Sequence, residues 1–153
     1  MMDGNDLQIL DCLRDNARVK ATDLAKVVGM SVSAVIERIH RLEESGLIQG
    51  YTAVLDQKKL GNDVVALMDV SLEHPRYFDS FTAMVCSHPN IVSCYYLTGE
   101  FDFTLKIITD TSDHLEAIHR TIKSMEGVSA TQTHFVLKSI KNDISPLCTN
   151  DNF

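Results

Sequence analysis

Along the first third of the chain, apolar residues recur at helical spacing; from Val64 onward, strand-like runs alternate with helical ones. Between about Asn5 and Asn16, Leu7, Leu10 and Leu13 stand three apart with Ile9 beside them. This predicts a helix with one apolar stripe, capped by Asp3 or Asn5. Ala21 to Val28 predicts a second helix that buries Leu24, Val27 and Val28. Thr22 is the better cap by residue type and Lys20 by helix length, while Gly29 offers the positive φ at which helices commonly end. A third helix begins at the cap Ser31, turns Val35, Ile39 and Leu42 inward at i, i+4 and i+7, and stops at Ser45-Gly46. Leu47-Ile48 begins an extended segment that turns at Gly50, a small wing, and Ala53 to Asn62 reads as a short strand followed by a polar link.

The remaining pattern repeats. VVALMDVSL is a strand, followed by a helix started by Pro75 and buried through Phe78, Phe81 and Val85. NIVSCYYLTG and EFDFTLKIIT are strands. A helix using Leu115, Ile118, Ile122 and Met125 follows, and VSATQTHFVLKSI is the last strand. The order βαβ then βαβ predicts a ferredoxin-like domain, so the chain is of the α+β class. A four-stranded sheet with both helices on one face leaves its other face uncovered. Leu105, Ile107, Phe135 and Leu137 are expected there, against a second subunit. The expected organisation is residues 1–50, a helix-turn-helix with its wing; 51–63, a strand and hinge; 64–142, the ferredoxin-like domain; and 143–153, a tail, frayed from Pro146 to Phe153.

The tight Gly29-Met30 turn between the second and third helices suggests a helix-turn-helix whose second helix enters a DNA groove. Ser33, Glu37, His40 and Glu44 point away from the core side of that helix, with Arg38 and Arg41 on one flank. The net charge of −7 runs against nucleic acid until it is divided. Residues 1–60 carry 8 Lys/Arg against 9 Asp/Glu, and residues 61–153 carry 6 against 12, so the acidity belongs to the second part. The local basic balance permits phosphate contacts without announcing them. Cys12, Cys86, Cys94 and Cys148 lack zinc spacing and read as reduced thiols. No metal or cofactor is expected. The acidic N-terminus is unlike a signal peptide and no apolar run is long enough to span a membrane, so the cytoplasm is the expected location.

Read together, ARVKATDLAKVVGMSVSAVIERIHRLEESGLIQGYTAVLD, the link KKLG, the turn LTGEFDFTL and the closing THFVLKSIK make a chain that resembles the Lrp/AsnC family of transcription regulators from about Asp6 to Lys141. The resemblance implies a winged helix-turn-helix on operator DNA and a ferredoxin-like domain that dimerises through its sheet, with dimers joining into tetramers or octamers. It also implies a linker strand at Thr52 to Asp56 that pairs with its counterpart, and a small effector, usually an amino acid, at an interface between dimers. Carried onto this sequence, the DNA-contacting set is Lys20, Thr22, Ser31, Ser33, Ala34, Glu37, Arg38 and Arg41. Glu37 repels phosphate but could accept from a cytosine amino group. The effector set is Thr98, Gly99, Glu100, Phe101 and Asp102, within the turn Thr98 to Phe103 that matches the family's Gly-x-Tyr/Phe-Asp-Tyr/Phe motif, with Thr131 and Thr133 at family positions near the pocket. Gly99 permits close backbone approach, free N–H groups suit an α-carboxylate, and Glu100 or Asp102 suits an α-ammonium. A turn-stabilising role for Asp102 is an equal alternative.

Two other functions share the architecture. The sirohaem decarboxylases are enzymes of this shape, but here the histidines are scattered and the Gly99-Glu100-Phe101-Asp102 turn is a regulator's. An effector-sensing module that has lost DNA binding would explain the acidic balance and Glu37.

Overall fold

The computed structural model describes residues 2–147. The chain divides into two compact units, one formed by the residues up to Val54 together with those from Asn142, the other being Leu55–Lys141. None of the described helices is long and apolar enough to cross a membrane.

The first unit is built on α1 (Gly4–Asp15), α2 (Ala21–Val28) and α3 (Val32–Glu44). Asp3 caps α1 in a reciprocal capping box with Asp6. Lys20 occupies the cap of α2 without a side-chain bond, so Thr22 is not the cap, and Gly29 closes that helix at φ 66°. Ser31 caps α3 by accepting from the Ala34 N–H at 3.3 Å. Ile9, Leu24, Ala25, Val28, Val35 and Leu42 form the core. Burying a side chain such as Ile9 or Leu24 contributes roughly 1.5–3 kcal/mol.

Three expectations change in this unit. The stripe of α1 centres on Ile9, with Leu10 and Leu13 packed at its edge and Leu7 outside the cluster. A three-residue spacing drifts about 60° per step around a helix, so Leu7 and Leu13 cannot share one line. Val27 is 60% exposed, and Ala25 takes its place in the core. After α3 the backbone wraps rather than extends: the Gly46 N–H donates to Glu43, and those of Leu47 and Ile48 both donate to the Leu42 carbonyl. Residues 47–56 therefore form no strand in the single chain. The expected strand at Ala53 has no edge here on which to pair. Pro146 and Leu147 line a cleft over α1 with Leu10, Leu13 and the segment 47–52, so this part of the tail lies on the first unit; the rest, Cys148 included, lies outside the described residues.

The second unit runs β1 (Val64–Leu72), a 3-10 turn (Pro75–Tyr77), α4 (Phe78–Ser87), β2 (Ile91–Tyr96), β3 (Phe103–Thr109), α5 (Ser112–Lys123) and β4 (Val128–Phe135). The antiparallel sheet has the order β2-β3-β1-β4. One cluster joins Ala66, Met68 and Val70 of β1 and Phe103, Leu105 and Ile107 of β3 to Phe81 and Val85 of α4 and Leu115, Ile118 and Ile122 of α5. Both helices therefore cover one face. Phe78 remains 37% exposed and packs edge-on against Tyr96 at 5.3 Å.

The face assignment of the apolar row is reversed from expectation. Leu105 and Ile107 are fully buried beneath the helices, Phe135 pairs with Ala66 on that same side, and Leu137 lies beyond the end of β4. Side chains alternate along a strand, so the uncovered face takes the other parity: Leu67 and Asp69 of β1, Thr104 and Lys106 of β3, Tyr95 of β2 and His134 of β4. That face is mixed in chemistry, with Leu67 and Tyr95 as its exposed large apolar groups.

Candidate nucleic-acid interface and effector turn

Val35 and Leu42 lock the inner side of α3, which leaves Ser33, Ile36, Glu37, His40, Arg41 and Glu44 along a shallow open depression on the outer side. Ser33 touches the Ser31 hydroxyl at 3.2 Å at the helix start. Ala34 is half-buried, and Lys20 and Thr22 are exposed at the start of α2. Seven of the eight expected contact residues thus lie at or near the surface of the helix-turn-helix. Arg38 is the eighth and is placed differently.

Its guanidinium turns inward. Nη1 donates to both Asp3 carboxylate oxygens at 2.8 Å and to Asp6 Oδ1 at 2.7 Å, and the side chain is only 19% exposed. Asp6 is 1% exposed and receives Nη2 of Arg41 at 3.3 and 3.4 Å, while the Arg41 side chain stays 60% exposed. Burial pushes the Asp6 carboxyl up, but the Asp3 backbone N–H and Arg38 outweigh it, and the net direction is below the usual carboxylate value. The Asp6 N–H and Arg38 likewise hold Asp3 low. Sequence reading missed both carboxylates as partners of α3. The available signal was an acid three residues before Ile9, on the apolar side of α1.

At the other end of α3, the Tyr51 hydroxyl donates to Glu43 at 2.8 Å, and His40 Nδ1 lies 3.4 Å from the same carboxylate. Desolvation and Glu43 push the Tyr51 hydroxyl up to about 12. Tyr51 was not anticipated as a contact to the helix.

In the second unit the turn after β2 exposes Thr98, Gly99 and Glu100, with Gly99 at φ 132° and open space around it. Phe101 is half-buried, and Phe103 belongs to the core. Asp102 holds the turn in place. Its carboxylate accepts from the Leu72 N–H at 2.8 Å at the bulge in β1, its N–H donates to Val70, and its carbonyl accepts from Leu97. The Ser71 hydroxyl donates to the Glu100 carbonyl at 3.3 Å. Thr131 and Thr133 stand two strands away: Val70 pairs with both Phe103 and Thr131, and Met68 with both Leu105 and Thr133. Thr131 meets His119 of α5 at 3.3 Å, whereas the Thr133 hydroxyl oxygen is buried without a partner. At this end of the sheet Thr98, Gly99 and Glu100 all face solvent in the single chain. Among the described residues no group of three or more His, Cys, Asp or Glu is arranged to hold a metal ion.

Comparison with known proteins covers both units. Residues 64–146 match the Lrp/AsnC ligand binding domain, and residues 2–49 match a winged helix-turn-helix DNA-binding domain. The chain is 34% identical over 142 residues to the Bkd operon transcriptional regulator of Pseudomonas aeruginosa, covering 91% of this chain and 93% of the relative. It is 33% identical over 143 residues to the leucine-responsive regulatory protein of Salmonella typhimurium, covering 92% and 87%. Among solved structures, a transcriptional regulator of Neisseria meningitidis in complex with L-methionine superposes with a TM-score of 0.93 at 31% identity over 99% of both chains. AsnC of Escherichia coli superposes at 0.88 with 28% identity, covering 95% and 99%.

Proposed function

The chain belongs to the Lrp/AsnC family of transcription regulators, and from that premise we propose how its own residues serve DNA binding and effector response. The outer face of α3 enters the major groove. Ser33, Glu37 and Arg41 face bases and backbone, while Lys20, Thr22, Ser31 and Ala34 approach phosphates around the two helix starts, where free N–H groups favour an anion. Glu37 suits a cytosine amino group. The carrying observation is that α3 is locked from inside by Val35 and Leu42 while its whole outer row stays open. The face is only weakly basic, so useful affinity comes from two or more copies bound together, paired through the uncovered sheet face.

The Gly99 turn is the effector site, and the effector is an amino acid. The crystallised Neisseria relative holds L-methionine, and the exposed turn offers backbone N–H groups for a carboxylate and Glu100 for an ammonium. Asp102 supports the turn rather than meeting the ligand, and a second copy supplies the other wall of the site. The protein acts in the cytoplasm, as a regulator and not an enzyme. His114 sits against Asp110 at 2.9 Å and His119 against Thr131, local roles that suit this reading better than a tetrapyrrole site.

The test uses full-length protein and duplex DNA selected by it from a random library. Affinity should fall steeply as salt rises, and one of the twenty amino acids should raise the thermal midpoint. Gly99→Leu should remove that shift. A selection yielding no preferred duplex would defeat the DNA reading, and a normal shift in Gly99→Leu would move the effector elsewhere.

A further inference from the structure

The two arginines that the sequence sets side by side on α3 have different surroundings. Arg38 is enclosed by three carboxylate oxygens within 2.8 Å. A guanidinium so neutralised has little field left for a phosphate, and withdrawing it would strand Asp6, which is buried. Arg41 touches the same Asp6 through one terminal nitrogen only, at longer distance, and among the described residues no other carboxylate lies within ion-pair reach of it. Its side chain is otherwise 60% exposed and borders the open row of α3. A flexible cation anchored at one corner loses fewer rotamers on meeting DNA than a free one.

We infer that Asp6 is a positioning residue for DNA reading: with Asp3 it holds Arg38 as an internal strut, and it holds one arm of Arg41 so that the rest of that guanidinium is aimed at the operator. This rests on α3 being the helix that enters DNA. It assigns the specific contact to Arg41 and removes Arg38 from the phosphate-contacting set.

The position of a carboxylate near DNA gives the inference an unusual signature. Asp6→Asn removes one negative charge per protomer, so simple electrostatics would tighten binding to all DNA alike. Loss of a merely structural contact would lower the melting temperature and weaken all binding alike. Release of Arg41 should instead weaken binding to the selected duplex about five- to tenfold, a typical loss for one oriented base or phosphate contact, while binding to a scrambled duplex holds or rises. The ratio of the two affinities is the readout, measured with the full-length chain at several salt concentrations.

Asp6→Asn should add nothing to that loss once Arg41→Ala is present, because a positioning residue acts through its client. Arg41→Lys keeps the charge on an exposed side chain and serves where Asp6→Asn folds poorly. It should preserve the salt dependence yet lose the ratio. An unchanged ratio in Arg41→Lys, equal tightening of both duplexes by Asp6→Asn, or additive losses in the double variant would each overturn the inference. A wild-type chain that shows no ratio would overturn the reading of α3 itself, and the inference with it.

Discussion

At the scale of single residues, the ion-pair cluster beneath α3 makes the first unit acid-sensitive in a definite direction. Asp3 and Asp6 have folded values below the ordinary 3.8, so the folded state favours their ionised forms. The stability they contribute is complete above the ordinary value and is lost as pH falls through the lowered ones. Helical signal from the first unit should therefore decline below about pH 4. Arg38→Ala should lower the melting temperature by several degrees at neutral pH and shrink the further drop on acidification in part, since one of the groups that hold both carboxyls low is gone while the capping-box N–H groups remain. Arg41→Ala should leave the neutral melting temperature nearly unchanged. Equal melting losses in the two variants, followed by circular dichroism, would contradict this division. Sequence reading grouped the two arginines because helical geometry places residues 38 and 41 on neighbouring faces. What separates them is a pair of acids more than thirty positions earlier, in sequence separations of 32 and 35, which no local pattern encodes.

At the scale of elements, helices and strands were legible because caps and periodicity are local. Ser31, Gly29 and Pro75 mark ends whose chemistry hardly depends on the rest of the fold. Which face of an element is inside was less legible. The β3 row Phe103, Leu105, Ile107 is apolar, and its alternation with Thr104 and Lys106 was visible, but alternation says only that two faces differ. Where the helices sit decides which is covered, and that is a tertiary fact. Contacts between connections distant in sequence were equally invisible. Gly127, at φ 86°, ends α5's exit beneath Tyr77, and a Cβ there would come within 2.2 Å of the Tyr77 ring. Gly61 has nearly the same φ, 85°, with open space around it. Gly127→Ala should destabilise the second unit by more than about 1 kcal/mol, visible in its urea midpoint, and clearly more than Gly61→Ala does. Equal shifts would mean that backbone conformation alone, and not the Tyr77 contact, is at stake.

For the whole molecule, the sheet face proposed for pairing is one of mixed chemistry. Leu67 sits at its middle, 40% exposed, beside Lys106 on one strand and His134 on the other. If copies pair there, Leu67→Lys adds a third basic group to a small area and should shift the protein toward monomers by light scattering while its secondary structure persists. A variant that keeps wild-type mass would direct attention to another surface. The Gly99 turn and the segment 47–56 were hard to read for the same reason. The first is exposed and the second forms no strand in one chain, and under the proposed function a second copy completes both, which neither periodicity nor a single chain's packing encodes. The Asp102 turn, by contrast, is completed within the chain: its carboxylate and backbone bind residues of β1, and only the choice between ligand and scaffold was open in the sequence.

The sheet order also sets a timetable. β1 lies at the interior of the sheet, yet its two neighbours, β3 and β4, leave the ribosome only after α4 and after α5. The three helices of the first unit pack on one another within residues 4–44, and contacts closer in sequence form fast while distant strand pairings form slowly. Pulse-labelled hydrogen exchange during refolding should thus protect amides in α1–α3 before those of β1 and β4. A newly made chain would then own a formed reading head before it owns a surface for pairing. Copies interrupted before β4 would be solitary heads, able to occupy half of an operator without the partner that gives occupancy its meaning, and the cell's supply of finished regulator would depend on how quickly that last strand docks.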